Sequence, residues 1–179
     1  KTQAGPRKAP EGFYLIDAER LTPNPKYYLS FDLGYPNRLE KALGNTGDAL
    51  MVHGACSSSG CYAVTDEGIA EIYAIVRDAL KGGQKAFQVQ AYPFRMTREN
   101  MAHHAGDPNH RFWQDMQQGY ELFETTRLPP EFGYCGRRYV FAAAGETGLP
   151  SDPLAACPPA IGKETSFAAD IMTSSGSST

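Results

Sequence analysis

The run Ala49-Leu50-Met51-Val52-His53, the loop Gly54-Ala55-Cys56-Ser57-Ser58-Ser59-Gly60-Cys61, and the segment from Thr65-Asp66 to Gly82-Gly83 decide how this chain folds. The apolar run has the length of a buried strand and carries His53 at its end. Small residues fill the loop behind it. Thr65 and Asp66 can each cap a helix, and Ile69, Ile72, Tyr73, Val76 and Leu80 then recur at helical spacing until Gly82-Gly83 stops the pattern. Strand, loop and amphipathic helix follow one another within 35 residues.

The same alternation of signals extends in both directions. Upstream, Phe13-Tyr14-Leu15-Ile16 and Tyr27 through Leu33 read as strands, the second closed by a Gly34-Tyr35-Pro36-Asn37 turn. Asn37 then caps a two-turn helix over Arg38–Leu43, and Gly44 ends it. Downstream, Phe87 to Tyr92 reads as a strand closed by Pro93, and Thr97 caps a short helix through Met101. Asp107-Pro108 predicts the start of a longer helix, which Pro129-Pro130 closes. Arg138-Tyr139-Val140-Phe141 reads as the last strand. Short strands interleaved with helices predict an α+β fold.

The organisation expected along the chain is a flexible leader over residues 1–10, one domain over 11–144, and an extension over 145–179 that ends in a solvated Ser/Gly-rich tail. The chain begins at Lys1 rather than Met and is read as a processed product, from which a signal peptide or anchor could have been removed. Forty-one per cent hydrophobic residues exclude full-length disorder. Seventeen Lys+Arg against twenty Asp+Glu give a net charge of -3 with no basic run, which argues against a nucleic-acid partner. No stretch approaches the roughly 18 apolar residues of a membrane span.

The chemistry concentrates between His53 and Cys61. A cysteine reacts as its thiolate, which a nearby imidazolium or helix N-terminus favours, and both stand close to Cys61 in sequence. Gly60 leaves room for a carbonyl substrate, and backbone N–H groups around Gly60 and Cys61 can face an oxyanion. The spacing leaves two other readings open: a small buried hydrophobe with a structural histidine, or a zinc site built from His53, Cys56 and Cys61. Against zinc, no C-x-x-C pair occurs and a fourth ligand would have to come from afar.

Leu50-Met51-Val52-His53-Gly54, Cys56, Ser58 and Gly60-Cys61-Tyr62-Ala63 with Thr65-Asp66 resemble the active-site segment of the L,D-transpeptidase (YkuD-like) family, closest to its YafK-like branch. Tyr28 through Asn37, Tyr92 through Thr97, Phe112-Trp113, Gly119-Tyr120 and Arg138 through Phe141 extend the resemblance over about residues 12–142. It implies a YkuD-like mixed β-sheet or sandwich core with several flanking helices. It also implies that Cys61 is the nucleophile and His53 the base, and that Gly54 supplies the backbone carbonyl that holds the imidazole tautomer. Gly60 and Ser58 match the glycine and serine of the family signature.

Two departures bear on substrate pose. Ser59 stands where the family's second histidine usually lies, and Ala63 where an Arg or Asn is common. With Gly60 and Gly54, Ser59 is expected to contribute orienting backbone groups. Arg95 is the candidate cation for a stem-peptide carboxylate, weighed against an ordinary salt bridge, and Tyr92 and Ser58 complete the expected binding residues.

The implied reaction passes through a thioester on a peptidoglycan stem peptide, with no cofactor and no metal. Its outcome is crosslinking, attachment of a lipoprotein, or hydrolysis that releases one. A non-catalytic peptidoglycan-binding domain is the rival reading. The implied location is periplasmic or otherwise extracytoplasmic.

Because the resemblance keeps Cys61 free to act, Cys135 is expected to pair with Cys157, leaving Cys56 unpaired. A Cys56–Cys61 bridge would close a short strained ring and switch the enzyme off. His103, His104 and His110 near Asp107 read as a solvated loop rather than a metal site. Phe112, Trp113, Met116, Tyr120 and Phe123 read as core rather than a substrate wall.

Overall fold

The computed structural model describes residues 9–22, 28–55 and 60–159. Eight strands and four α-helices follow in chain order among them: β1 Gly12–Ile16, β2 Leu21–Thr22, β3 Ser30–Asp32, α1 Arg38–Ala42, β4 Met51–His53, β5 Tyr62–Ala63, α2 Asp66–Lys81, β6 Phe87–Ala91, α3 Arg98–His103, α4 His110–Thr126, β7 Glu131–Cys135 and β8 Arg138–Ala142. They form an antiparallel β1–β6 pair, a mixed four-stranded sheet in the order β2-β3-β4-β5, and a β7–β8 hairpin. The fold is α+β.

Strand alternation explains how these layers meet. Tyr14 and Ile16 on β1 share a face with their partners Val89 and Phe87 on β6. That face packs against Phe31, Leu33, Leu50 and Val52 of the four-stranded sheet, with Ile69 of α2 sealing the cluster. Phe13 points to the opposite side of β1. There it enters a second cluster with Met101, Trp113, Met116 and Tyr139, contributed by α3, α4 and β8. One strand therefore holds two cores together.

Local signals set most boundaries. Asn37 caps α1 with a full capping box: its side chain accepts from Glu40 N, and the Glu40 carboxylate accepts from Asn37 N. Thr65 takes the cap of α2 by accepting from Gly68 N. The predicted start of α4 at Asp107-Pro108 falls two residues early. The Asp107 carboxylate accepts from Asn109 N in an Asx-type turn, and the helix begins at His110. β7 is absent from the sequence reading, and β2 and β5, two residues each, are too short to carry a period.

Residues beyond Gly145 are tied to β7. Tyr134 N, Gly136 N and Arg137 N donate to the carbonyls of Pro150, Ala155 and Pro153. A disulfide joins Cys135 to Cys157 with Cα atoms 4.9 Å apart. At the other end Pro10, placed in the leader by sequence, is buried, and its carbonyl accepts from the Tyr62 hydroxyl at 2.6 Å.

Two stability predictions arise from this packing. A Cβ at Gly119 of α4 would lie 2.6 Å from Phe141 and 2.7 Å from Phe13. Gly119→Ala should therefore cost about 1–3 kcal/mol through overpacking, despite its better helix propensity, read as a lower urea midpoint.

Glu40 is buried between the Tyr14 hydroxyl at 2.6 Å and Asn37 N, and burial pushes its carboxyl above the usual range against both hydrogen bonds. Between the unfolded and the raised folded pKa, the native state holds the extra proton, so stability falls as pH rises through that window. Comparing urea midpoints from pH 4 upward, Glu40→Gln should flatten this decline relative to the native sequence. An unchanged slope would assign the pH dependence elsewhere.

Candidate active site

β4 lies between β3 and β5, so His53 at its end is flanked on both sides. The ladder pairs Thr22 with Ser30, Ser30 with His53, and His53 with Ala63. Paired residues project to the same face, which sorts the sheet in two. Leu21, Phe31, Val52 and Tyr62 turn toward the first core cluster. Thr22, Ser30, His53 and Ala63 lie in one row of the other face, and Asp32 and Met51 in the next.

His53 is 3% exposed. Its Nδ1 makes a short contact with the carbonyl oxygen of Gly54. A carbonyl can only accept, so a proton belongs on Nδ1, and in the neutral ring the lone pair then falls to Nε2. The backbone that fixes this geometry is itself anchored on three sides: Gly54 N donates to Leu29 O at 3.2 Å, His53 O accepts from Val64 N at 2.9 Å, and Ala55 N donates to the Asp66 carboxylate at 2.8 Å. Asp66 therefore ties the loop to the first residue of α2 and is not the cap the sequence offered.

Cys56, Ser58 and Ser59 lie outside the described residues. The chain resumes at Gly60 with φ 144°, a conformation that a side chain would strain. Cys61 follows at the bend entering β5. It precedes the Val52–Tyr62 pair by one residue, beside the strand that His53 ends, and packs at the margin of the first core cluster. Cys61 is a free thiol, partly exposed, and its Sγ lies 3.7 Å from the carbonyl oxygen of Ala49, toward the start of β4. The first turn of α2 carries Asp66 and Glu67. Their charges offset the helix dipole that the sequence reading enlisted to favour a thiolate.

No protein-family model matches the chain. It is 44% identical over 140 residues to the protein named "Putative L,D-transpeptidase YafK" in Escherichia coli K12, and equally to the protein of that name in strain O157:H7. The match covers 78% of this chain. The chain belongs to the YafK-like branch of the L,D-transpeptidase family.

The chain spans 57% of the length of these relatives. Among solved structures, the helical cell shape determining protein Pgp2 of Campylobacter jejuni overlays with a TM-score of 0.40 at 18% identity, covering 75% of this chain and 59% of that one. An overlay that loose carries nothing about function.

Within this L,D-transpeptidase-family chain, His53, Gly54, Gly60 and Cys61 come together around β4 and β5. Tyr92 and Arg95 lie beyond the end of β6, which pairs with β1 rather than with the four-stranded sheet. Tyr92 packs edge-on against Phe13 and Tyr120, and its hydroxyl donates to Gln90 at 3.0 Å. Arg95 is exposed, and its carbonyl accepts from Thr97 N and the Asn100 side chain. No group of three or more His, Cys, Asp or Glu side chains forms a metal site among the described residues. His104 stacks on Phe94 with ring centroids 4.5 Å apart.

Sequence reasoning missed Asp66 as the loop anchor, and Ser30 beside His53. The alternation Ser30-Phe31-Asp32 against Met51-Val52-His53 carried the signal for Ser30. Nothing in the sequence marked Asp66 as facing back toward Ala55. No helix among the described residues is long and apolar enough to cross a membrane.

Proposed function

We propose that this chain is a cysteine acyltransferase that acts on peptidoglycan stem peptides outside the cytoplasm. The observation that supports it best is the imidazole of His53, held at Nδ1 by the Gly54 carbonyl at the end of β4, next to β5, which a partly exposed free thiol leads into. Family membership supplies the substrate class.

In the proposed cycle, a rotation about χ1 of Cys61 moves Sγ by about 3 Å, off the Ala49 carbonyl and toward His53. Nε2 takes the thiol proton, and sulfur attacks the carbonyl carbon of the stem's third residue. The oxyanion is received by backbone N–H groups at Gly60 and Cys61. The amide C–N bond breaks, Nε2 returns the proton to the leaving D-alanine amine, and a thioester remains.

An acceptor amine then attacks the thioester carbon and yields its proton through Nε2, which restores the thiol. A side-chain amine of a second stem gives a crosslink, and a lipoprotein lysine gives an anchored protein. Water in the same place gives hydrolysis, which run on an anchored lysine releases the lipoprotein. All three share Cys61 and His53, with Ser59 joining Gly54 and Gly60 as orienting backbone and Ser58, Arg95 and Tyr92 assigned to substrate pose.

Carbapenems, which acylate this family, provide the test. Cys61 opening the lactam ring adds the whole inhibitor mass to the peptide that contains it, and purified sacculi should release or exchange D-alanine. A chain that gains no such mass is not an acyltransferase of this kind.

A further inference from the structure

A second feature lies at the opposite edge of the sheet from Cys61. A groove of about 410 Å³ runs between β1, the turn after β3, α1 and β7. Three cations line it, Arg20, Arg38 and Lys41, together with Asn37, Phe132 and Tyr134, and no carboxylate is among its described lining residues. This concentration of positive charge stands out in a chain of net charge -3.

The nearby acids are turned away from the groove or already engaged. Glu40 points inward to Tyr14 and Asn37 N. Asp32 accepts from Gly34 N at 2.5 Å and pairs with Arg20 at 3.6 Å. Arg38 and Lys41 are exposed, and among the described residues Arg38 donates to the Ser151 carbonyl at 3.4 Å. The Arg20 Nε is buried without a hydrogen-bond partner, while its guanidinium lies where a Cβ on Gly34 would stand. A guanidinium beside two more cations and two aromatic rings suits a ligand with a carboxylate and an apolar stem.

The ladder relates the groove to the thiol. Arg20, next to β2, pairs with Asp32 on β3; Asp32 stands opposite Met51 on β4, whose other neighbour is β5, the strand that Cys61 leads into. β2, which Arg20 precedes, and β5, which Cys61 precedes, are three strand spacings apart, roughly 14 Å. That distance exceeds the reach of one amide group and fits a peptide several residues long, at about 3.3 Å per residue.

We propose that this groove binds a free carboxylate of a peptidoglycan stem peptide while another part of the same glycopeptide lies at Cys61. The inference rests on the proposed function for its ligand class. It assigns the distal carboxylate to Arg20, Arg38 and Lys41.

The test measures binding by calorimetry in the Cys61→Ala background, so that no turnover occurs. The probe is a soluble disaccharide tetrapeptide, compared with the same molecule carrying carboxamides in place of its free carboxylates. The free acid should bind at least about tenfold more tightly than the amide, with a preference that fades as salt rises. In an Arg38→Gln/Lys41→Gln double variant, that preference should collapse to within about threefold. The charge-retaining Arg38→Lys/Lys41→Arg pair should restore most of it, which separates lost charge from lost folding. Equal preference in the native-groove protein and the neutral double variant overturns the proposal. Carbapenem addition to the unmodified chain is scored separately: its failure counts against the acyltransferase reading, whereas addition with an unchanged carboxylate preference counts against the groove alone.

Discussion

Cys61→Ser is expected to leave no covalent adduct after exposure to a carbapenem and to lower muropeptide conversion by at least about four orders of magnitude. Serine matches cysteine in shape closely enough to keep the bend at β5 and the half-buried packing of residue 61. Its hydroxyl, however, ionises far less readily than a thiol and forms an ester rather than a thioester. The same variant should keep its thermal midpoint within a degree or two, because serine keeps the volume of Cys61 at the margin of the first core cluster and the Sγ contact to the Ala49 carbonyl is long. Intact-protein mass spectrometry and a melting curve measure the two halves on one sample. Retained turnover with a normal melting curve would move the nucleophile elsewhere, Cys56 being the other unpaired candidate by sequence.

The elements read most easily from sequence are those whose boundary residues act locally. Asn37 and Gly44 bracket α1, Thr65 and Gly82 bracket α2, and Thr97 starts α3, because a cap is a hydrogen bond between residues three apart. β7 escaped for the opposite reason. Its run Glu131-Phe132-Gly133-Tyr134-Cys135 has a glycine at its centre, explained only in three dimensions: a side chain at Gly133 would run into Pro150 and Leu149 of the segment laid across it. The hairpin turn is hidden as well. Gly136 and Arg137 both have positive φ, the conformation of a two-residue hairpin loop, and arginine gives no sign of it in sequence.

The site divides along the same line. His53 at a strand end and Cys61 beyond a small-residue loop are visible in sequence, since an apolar run and a glycine are local signals. Whether their side chains share a face depends on the parallel register of β4 and β5, which is fixed by the return of the chain through Tyr62. Asp66 shows how far local reading goes. As a carboxylate at a helix start it looks like a cap, yet Thr65 already fills that role, and Asp66 is freed to hold Ala55 N. The cationic groove draws on β1, α1 and β7, about 120 residues apart in sequence, so no window of the chain contains it.

His53→Ala should slow carbapenem acylation by about two to four orders of magnitude, the scale of a lost general base, while leaving the adduct's final mass unchanged. The thiol remains and bulk hydroxide can still ionise it, so the variant's rate should rise steeply with pH where the native rate has levelled. His53→Asn divides the role further. Asparagine can hydrogen-bond the Gly54 carbonyl through its amide and fill part of the ring's volume in a site 3% exposed, but it cannot accept a proton at neutral pH. It should match alanine in rate and exceed it in stability, since truncation to alanine also leaves a cavity between β3 and β5. Stopped-flow acylation across pH 6–9 and urea midpoints for both variants measure this. Equal, near-native rates would return His53 to a structural role and leave the base to be found among other groups facing Cys61.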